Sequence, residues 1–244
     1  MNKRKITIFV EGDTELIFVR NFLNTWYNYD ANSLGMECYK LQSNRPNPVP
    51  YFIGSRDSEN FYQIIIVGND NIASKILSRA EELGKAGFST IVGLRDMYCD
   101  TYHKHLTHGR IVSSELNDKF KQIAQETIDN TLLPNKSTIH IHFAIMEVEA
   151  WLLGIESLLT YLDSKLDMKT IKEQLGLDLS EDPETTIYHP AYKLEQLFAL
   201  ADKQYGKHTD VTEKLLSKLM KTDYEQLYHS GKCYSFHEFV DLII

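Results

Sequence analysis

Cysteine, positive charge and long apolar runs are all scarce in this sequence, and each scarcity excludes a class of protein. Cys38, Cys99 and Cys233 are the only cysteines in 244 residues. They are widely spaced, odd in number and without a CxxC pair, so neither a zinc ribbon nor a disulfide framework is indicated. No apolar stretch approaches the roughly 20 residues needed to cross a bilayer. Met1-Asn2-Lys3-Arg4 leads into a strand pattern rather than the apolar core of a signal peptide, so the expectation is a cytoplasmic chain that does not engage a membrane. Lys and Arg number 26 against 34 Asp and Glu, a formal net charge of −8. Beyond Lys3-Arg4-Lys5 there is no dense basic run. Gripping a duplex by phosphate neutralisation alone is therefore excluded, and any nucleic acid handled here needs metal ions to supply positive charge.

What is present is the composition of a folded α/β protein, 43% hydrophobic and 25% charged, long enough to bury a full core. Lys5 to Val10 is a short, β-branched apolar run ending at Glu11-Gly12, with Asp13 placed to cap a following helix whose apolar residues Leu16, Val19, Phe22 and Leu23 recur at helical spacing. Residues 42–60 hold three of the six prolines and read as a long loop. Further strands are expected at Tyr62 to Val67, Phe88 to Leu94 and Thr138 to Ile145, with helices at Ala73 to Ala86 and about Ser114 to Asn130. A polar loop through His108 carries three histidines at a spacing that fits no usual zinc motif. Strands alternating with helices imply a mostly parallel sheet of about four strands with helices on both faces. After residue 162 the pattern turns helical, which suggests an α/β domain over 1–162 and a helical extension over 163–244 packing on it.

Three of the four expected strands deliver acids at their carboxyl ends, where open α/β sheets bind ligands. Glu11 follows the first, Asp96 the third, and Glu147 and Glu149 the fourth; Glu15 lies one helical turn past Glu11, and Asp100 four residues past Asp96. Converging carboxylates repel unless a cation gathers them, and hard oxygen ligands suit Mg²⁺ or Mn²⁺. Acids just after strands also serve as helix caps, which is the plainer reading of Asp13 and Glu15 taken singly.

The stretch Ile8-Phe9-Val10-Glu11-Gly12-Asp13-Thr14-Glu15 resembles the opening VEGxTE motif of Toprim-like proteins. It is most similar to the uncharacterised bacterial family called domain of unknown function 4276, related to overcoming-lysogenization-defect nucleases. Gly93-Leu94-Arg95-Asp96-Met97-Tyr98, Met146-Glu147-Val148-Glu149-Ala150-Trp151-Leu152-Leu153, Pro183-Glu184 and His189-Pro190-Ala191-Tyr192-Lys193 match its later segments in order. The resemblance implies a Toprim-like fold binding Mg²⁺ or Mn²⁺, with Glu11 as acid/base or metal ligand, Asp96 as metal ligand, and Glu147 and Glu149 in a second acidic cluster. Tyr98 stands where Toprim proteins carry the second Asp of a DxD pair, which leaves Asp100 to replace it. Glu15 is a candidate for orienting water, and Lys193 for offsetting developing negative charge, although a solvated helix lysine is the plainer reading of Lys193. The expected activity is metal-dependent phosphodiester cleavage of DNA or RNA, in phage defence beside an ATPase partner. The alternative is a degenerate, non-catalytic Toprim module that regulates or docks onto a partner.

Overall fold

The structure is a computed structural model that describes residues 3–68, 72–106, 109–164, 166–206 and 210–244. The chain divides into two compact units. The first comprises Met1–Arg95, Asp118–Phe143 and Ile243; the second comprises Asp96–Asn117, Ala144–Leu242 and Ile244. Residue 162 lies inside the second unit.

Among the described residues the sheet has six strands, β1 (Arg4–Val10), β2 (Leu34–Gln42), β3 (Arg45–Ile53), β4 (Asn60–Ile66), β5 (Thr90–Asp96) and β6 (Ile139–Ala144), in the order β3-β2-β4-β1-β5-β6. β1 runs parallel to both β4 and β5, β2 runs parallel to β4, and β2 and β3 pair antiparallel. The sheet is flanked by helices and the C-terminal part of the chain is helical, so the α/β class follows the alternating pattern of the sequence. No helix among the described residues is long and apolar enough to cross a membrane.

The strand count exceeds the expected four by two: β2 was not expected, and the residues read as a proline-rich loop include β3. Prolines 46, 48 and 50 alternate along it, so their missing N–H groups all fall on one side of the strand. β3 ends the strand order, and the intervening residues are left to pair with β2. Gln42 pairs with Arg45 across Ser43 and Asn44, both at positive φ (46° and 65°), the geometry of a two-residue type I′ hairpin turn. Lys75 and Arg79 both donate to Asn44 and hold that turn.

The helix α1 (Asp13–Trp26) is capped one residue earlier than expected, at Gly12 rather than Asp13, and Glu15 at the third helical position accepts the Gly12 N–H at 2.8 Å. In the first unit Phe9, Ile65 and Ile91 of the sheet pack with Ile72, Ile76, Ala80 and Leu83 of α2 (Ile72–Lys85), and with Ile128 and Ile139. Gly93 makes this packing possible. A Cβ there would lie 2.4 Å from Ile72 Cγ2, 2.8 Å from Ile76 Cδ1 and 3.0 Å from Ile141 Cδ1. Gly93→Ala is expected to cost about 1–3 kcal/mol by overpacking, read as a fall in the urea midpoint at unchanged m-value.

The second unit contains α3 (Asp100–His105), where a loop was expected, the helices α5 (Glu149–Gly154), α7 (Met168–Leu175), α8 (Pro183–Thr186) and α9 (Pro190–Leu200), and all but the last residue of α12 (Tyr234–Ile243). α4 (Ser114–Asp129) spans both units, and α6 (Ser157–Leu162), α10 (Asp210–Leu216) and α11 (Lys221–His229) complete the set. Thr107 and His108, the end of the expected histidine-bearing loop, lie outside the described residues. Trp151 is fully buried, with the Phe239 and Phe236 rings 5.4 and 5.5 Å from its own.

Candidate metal centre

Three acids converge in the second unit where the chain leaves β5 and β6. Met97 N–H donates to Ala144 C=O at 3.1 Å and Tyr98 N–H to Met146 C=O at 2.7 Å, so the strand pairing continues past Asp96. Met146 sits at φ +63°, a conformation that L residues rarely adopt, and Glu147 N–H closes back on Ile145 C=O at 3.0 Å. This tight, strained turn places Glu147 just beyond the strand and lets α5 start at Glu149.

One ligand oxygen from each of Asp96, Glu147 and Glu149 lies within 4.8 Å of the other two, and all three side chains are buried. Each carboxylate is anchored by a neutral donor. Asp96 Oδ1 accepts the Val148 N–H at 3.1 Å, Glu147 Oε2 the Ala191 N–H at 2.8 Å, and Glu149 Oε1 the Tyr205 hydroxyl at 2.6 Å. Neutral donors orient the oxygens without cancelling their charge. Glu149 is 0% exposed, and its Oε2 is a buried acceptor with no hydrogen-bond partner. An orphaned buried carboxylate oxygen is costly unless something outside the protein satisfies it. The donor set, three carboxylates, is one that hard divalent cations take, so the residues fit such an ion.

The other acids and the lysine picked out in the sequence each have contacts of their own. Glu11, in the first unit, pairs with Arg95 Nε at 3.2 Å. Glu15 is spent on the α1 cap described above. Asp100 is exposed at the first residue of α3, a position favoured by the helix dipole. Lys193 Nζ donates to Leu175 C=O at 3.3 Å, at the C-terminal end of α7.

Sequence reasoning missed the rings beside the carboxylates. The Tyr98 ring stacks on His189 with centroids 4.4 Å apart and planes 13° from parallel, and His189 stacks in turn on Tyr192 at 5.9 Å and 26°. His103 meets the edge of Tyr98 at 4.7 Å, and Tyr188 shares a 2.6 Å hydrogen bond with His103 Nδ1. His189 Nε2 lies 3.8 Å from Glu147 Oε1. Burial raises the Tyr98 phenol above its ordinary pKa, and the Glu147 charge adds to the rise, so the ring stays neutral at physiological pH. The signals available were Tyr98 itself, a ring in place of the second Asp of DxD, and His189 inside the last matched segment.

No protein-family profile matches the chain, and no curated protein matches it. Among solved structures, the C-terminal region of the Burkholderia pseudomallei OLD protein aligns over 100% of this chain and 98% of that one, with a TM-score of 0.45 and 15% sequence identity.

Proposed function

We propose that this chain is a divalent-metal-dependent phosphodiesterase of Toprim type acting on DNA or RNA, with Asp96, Glu147 and Glu149 holding Mg²⁺ or Mn²⁺. The observation that carries the reading is the buried trio of carboxylates with the orphaned Glu149 Oε2. The motifs that resemble the Toprim-like family support it independently. Asp96, Glu147 and Glu149 would hold the ion, which would supply Lewis-acid chemistry for phosphodiester cleavage by neutralising phosphate oxygens and activating water. The chain's own part is positional: Val148 N–H, Ala191 N–H and the Tyr205 hydroxyl each fix one carboxylate, and the closed surroundings keep bulk water from competing. Glu11 is the residue that the opening motif assigns to proton transfer or metal binding. Phage defence beside an ATPase partner is the setting the resemblance suggests, and co-purification from the native host tests it.

The direct test is cleavage of single- and double-stranded DNA and RNA in Mn²⁺, Mg²⁺ and EDTA, beside Asp96→Asn and Glu11→Gln. Cleavage that needs the ion and disappears in Asp96→Asn is expected. Calorimetry showing no Mn²⁺ binding, together with no cleavage, would sink the reading. Tyr98 in place of the second Asp, with Asp100 exposed, favours one other reading, a metal-binding module that cleaves nothing. Stoichiometric Mn²⁺ binding without turnover on any of the four substrates would select it.

Tyr205→Phe isolates the supporting shell. It removes the hydroxyl that donates to Glu149 Oε1 while keeping the ring that packs on Phe198, at a centroid distance of 5.2 Å. Mn²⁺ affinity is expected to fall about tenfold, measured calorimetrically, with the melting temperature of the metal-free protein little changed.

A further inference from the structure

We propose that Tyr98, His189 and Tyr192 form a stacking ladder that takes an unpaired base of a single-stranded nucleic acid and so positions the adjoining phosphate at Asp96, Glu147 and Glu149. The inference rests on the phosphodiesterase reading and adds the form of the substrate to it.

The ladder runs outward from the carboxylates. Its inner ring, Tyr98, lies two residues from Asp96, and its middle ring, His189, approaches Glu147 to 3.8 Å. Its outer ring, Tyr192, is 50% exposed. Successive planes lie within 13° and 26° of parallel, unlike the edge-on packing of His103 and Tyr188 around the same Tyr98. Parallel rings ending on a half-exposed tyrosine are what a further flat ring extends, and every base has such a face. Bases in a duplex already have both faces covered, so the ladder selects an unpaired strand.

Charge points the same way. At a net −8 with no dense basic run beyond Lys3-Arg4-Lys5, the chain gains little from counterion release, so affinity for a polyanion has to come from metal and from uncharged contacts. Stacking is the uncharged contact that tolerates any sequence. The ladder also explains why a tyrosine occupies the second DxD position: the ring there supports His189, where an aspartate would add a fourth negative charge to the cluster.

The test compares binding of fluorescein-labelled dA₁₂ with a label-matched 12-mer of abasic residues, which has the same phosphates and no bases. Anisotropy is read in Ca²⁺, a hard cation for the carboxylates, with substrate integrity checked on a gel. Wild-type protein is expected to bind dA₁₂ about tenfold more tightly than the abasic strand. Tyr192→Ala is expected to abolish that preference, and Tyr192→Phe to retain it. Because Tyr192 is half-exposed, both variants should fold, which circular dichroism verifies. Equal binding of the two strands by wild-type protein, or an unchanged preference in Tyr192→Ala, would overturn the ladder. Competition separates the sources of the base: AMP or duplex displacing dA₁₂ as well as unlabelled dA₁₂ does would overturn the strand assignment. None of these readouts requires turnover, so loss of the ladder and loss of the phosphodiesterase reading are told apart by the Mn²⁺ calorimetry described above.

Discussion

Protein carrying Glu149→Gln is expected to melt higher than wild type without metal and lower than wild type in saturating Mn²⁺. In the metal-free protein, Glu149 Oε2 is a buried acceptor without a partner, and one oxygen each of Asp96 and Glu147 lies within 4.8 Å of a Glu149 carboxylate oxygen. The amide keeps an oxygen for the Tyr205 hydroxyl and puts its NH₂ in place of Oε2, replacing an unsatisfied acceptor with a donor in a cluster of acceptors. Removing an unsatisfied buried polar atom is worth about 1–3 kcal/mol, and for a chain of this size each kcal/mol moves Tm by roughly 2–4 °C. With Mn²⁺ the order reverses. A ligand present at a hundred times its Kd stabilises the native state by about 2.7 kcal/mol, and the variant forfeits that gain along with a ligand oxygen. Cleavage should fall at least a hundredfold, since changing groups that merely support ligands already costs 10–100-fold. The crossover is diagnostic: a trio held only for structure would lose stability in both conditions on substitution. A Glu149→Gln protein that melts lower than wild type without metal, and gains as much as wild type from Mn²⁺, would rule out the metal centre.

Why the trio was partly legible, and its supporting shell was not, follows from sequence distance. Asp96, Glu147 and Glu149 each follow an apolar run that becomes a parallel-type strand, so the strand pattern alone sends them toward one end of the sheet. The partners that orient them come from far along the chain: Ala191 and Tyr205 are 44 and 56 residues from the carboxylates they anchor, and His189 is 91 residues from Tyr98. No local periodicity encodes such pairs. Glu15, Asp100 and Lys193 show the opposite case. Each meets a helix end, where the residue types that serve chemistry also serve capping: Glu15 on the Gly12 N–H, Asp100 in the first turn of α3, and Lys193 of α9 on the Leu175 carbonyl that ends α7. The strands show a similar ambiguity. β1, β4 and β5 carry contiguous apolar runs, and β6 alternates apolar residues with His140 and His142; all four were visible. β2 is interrupted by Glu37 and Lys40, and β3 alternates proline with other residues, a pattern that reads as loop until one notes that every second N–H of a terminal strand is dispensable.

A second large effect is expected from pH, through a carboxyl remote in sequence from the acidic trio. Glu184, at the start of α8, is 3% exposed, and burial pushes its pKa up from 4.5 to about 7 against the pull of the Ser235 and Trp151 donors. Its Oε1 accepts the Trp151 Nε1–H at 2.8 Å and interacts with the Ser235 hydroxyl, while its Oε2 accepts the Ser235 N–H at 3.0 Å. Asp182 reinforces the clamp, its Oδ1 accepting the N–H groups of Glu184 and Cys233, each at 3.0 Å. One carboxyl thus ties α8, α5 and the start of α12 together. The folded pKa is raised, so the native state holds its proton where the unfolded chain has released it. The contribution is complete below about 4.5 and is lost as pH rises through about 7. A shift of that size corresponds to about 3 kcal/mol. Urea unfolding should therefore show stability falling between pH 5 and 7.5. Glu184→Gln, which cannot ionise, should flatten the decline while lowering stability at pH 5, because its NH₂ opposes either the Trp151 or the Ser235 N–H. Glu184→Ala strands all of these donors and should cost about 3 kcal/mol or more at pH 5. An undiminished slope in Glu184→Gln would assign the pH dependence to other groups and leave Glu184 as a clamp whose protonation does not matter. A flattened slope would show that the helical unit is held most firmly by a carboxylic acid that keeps its proton.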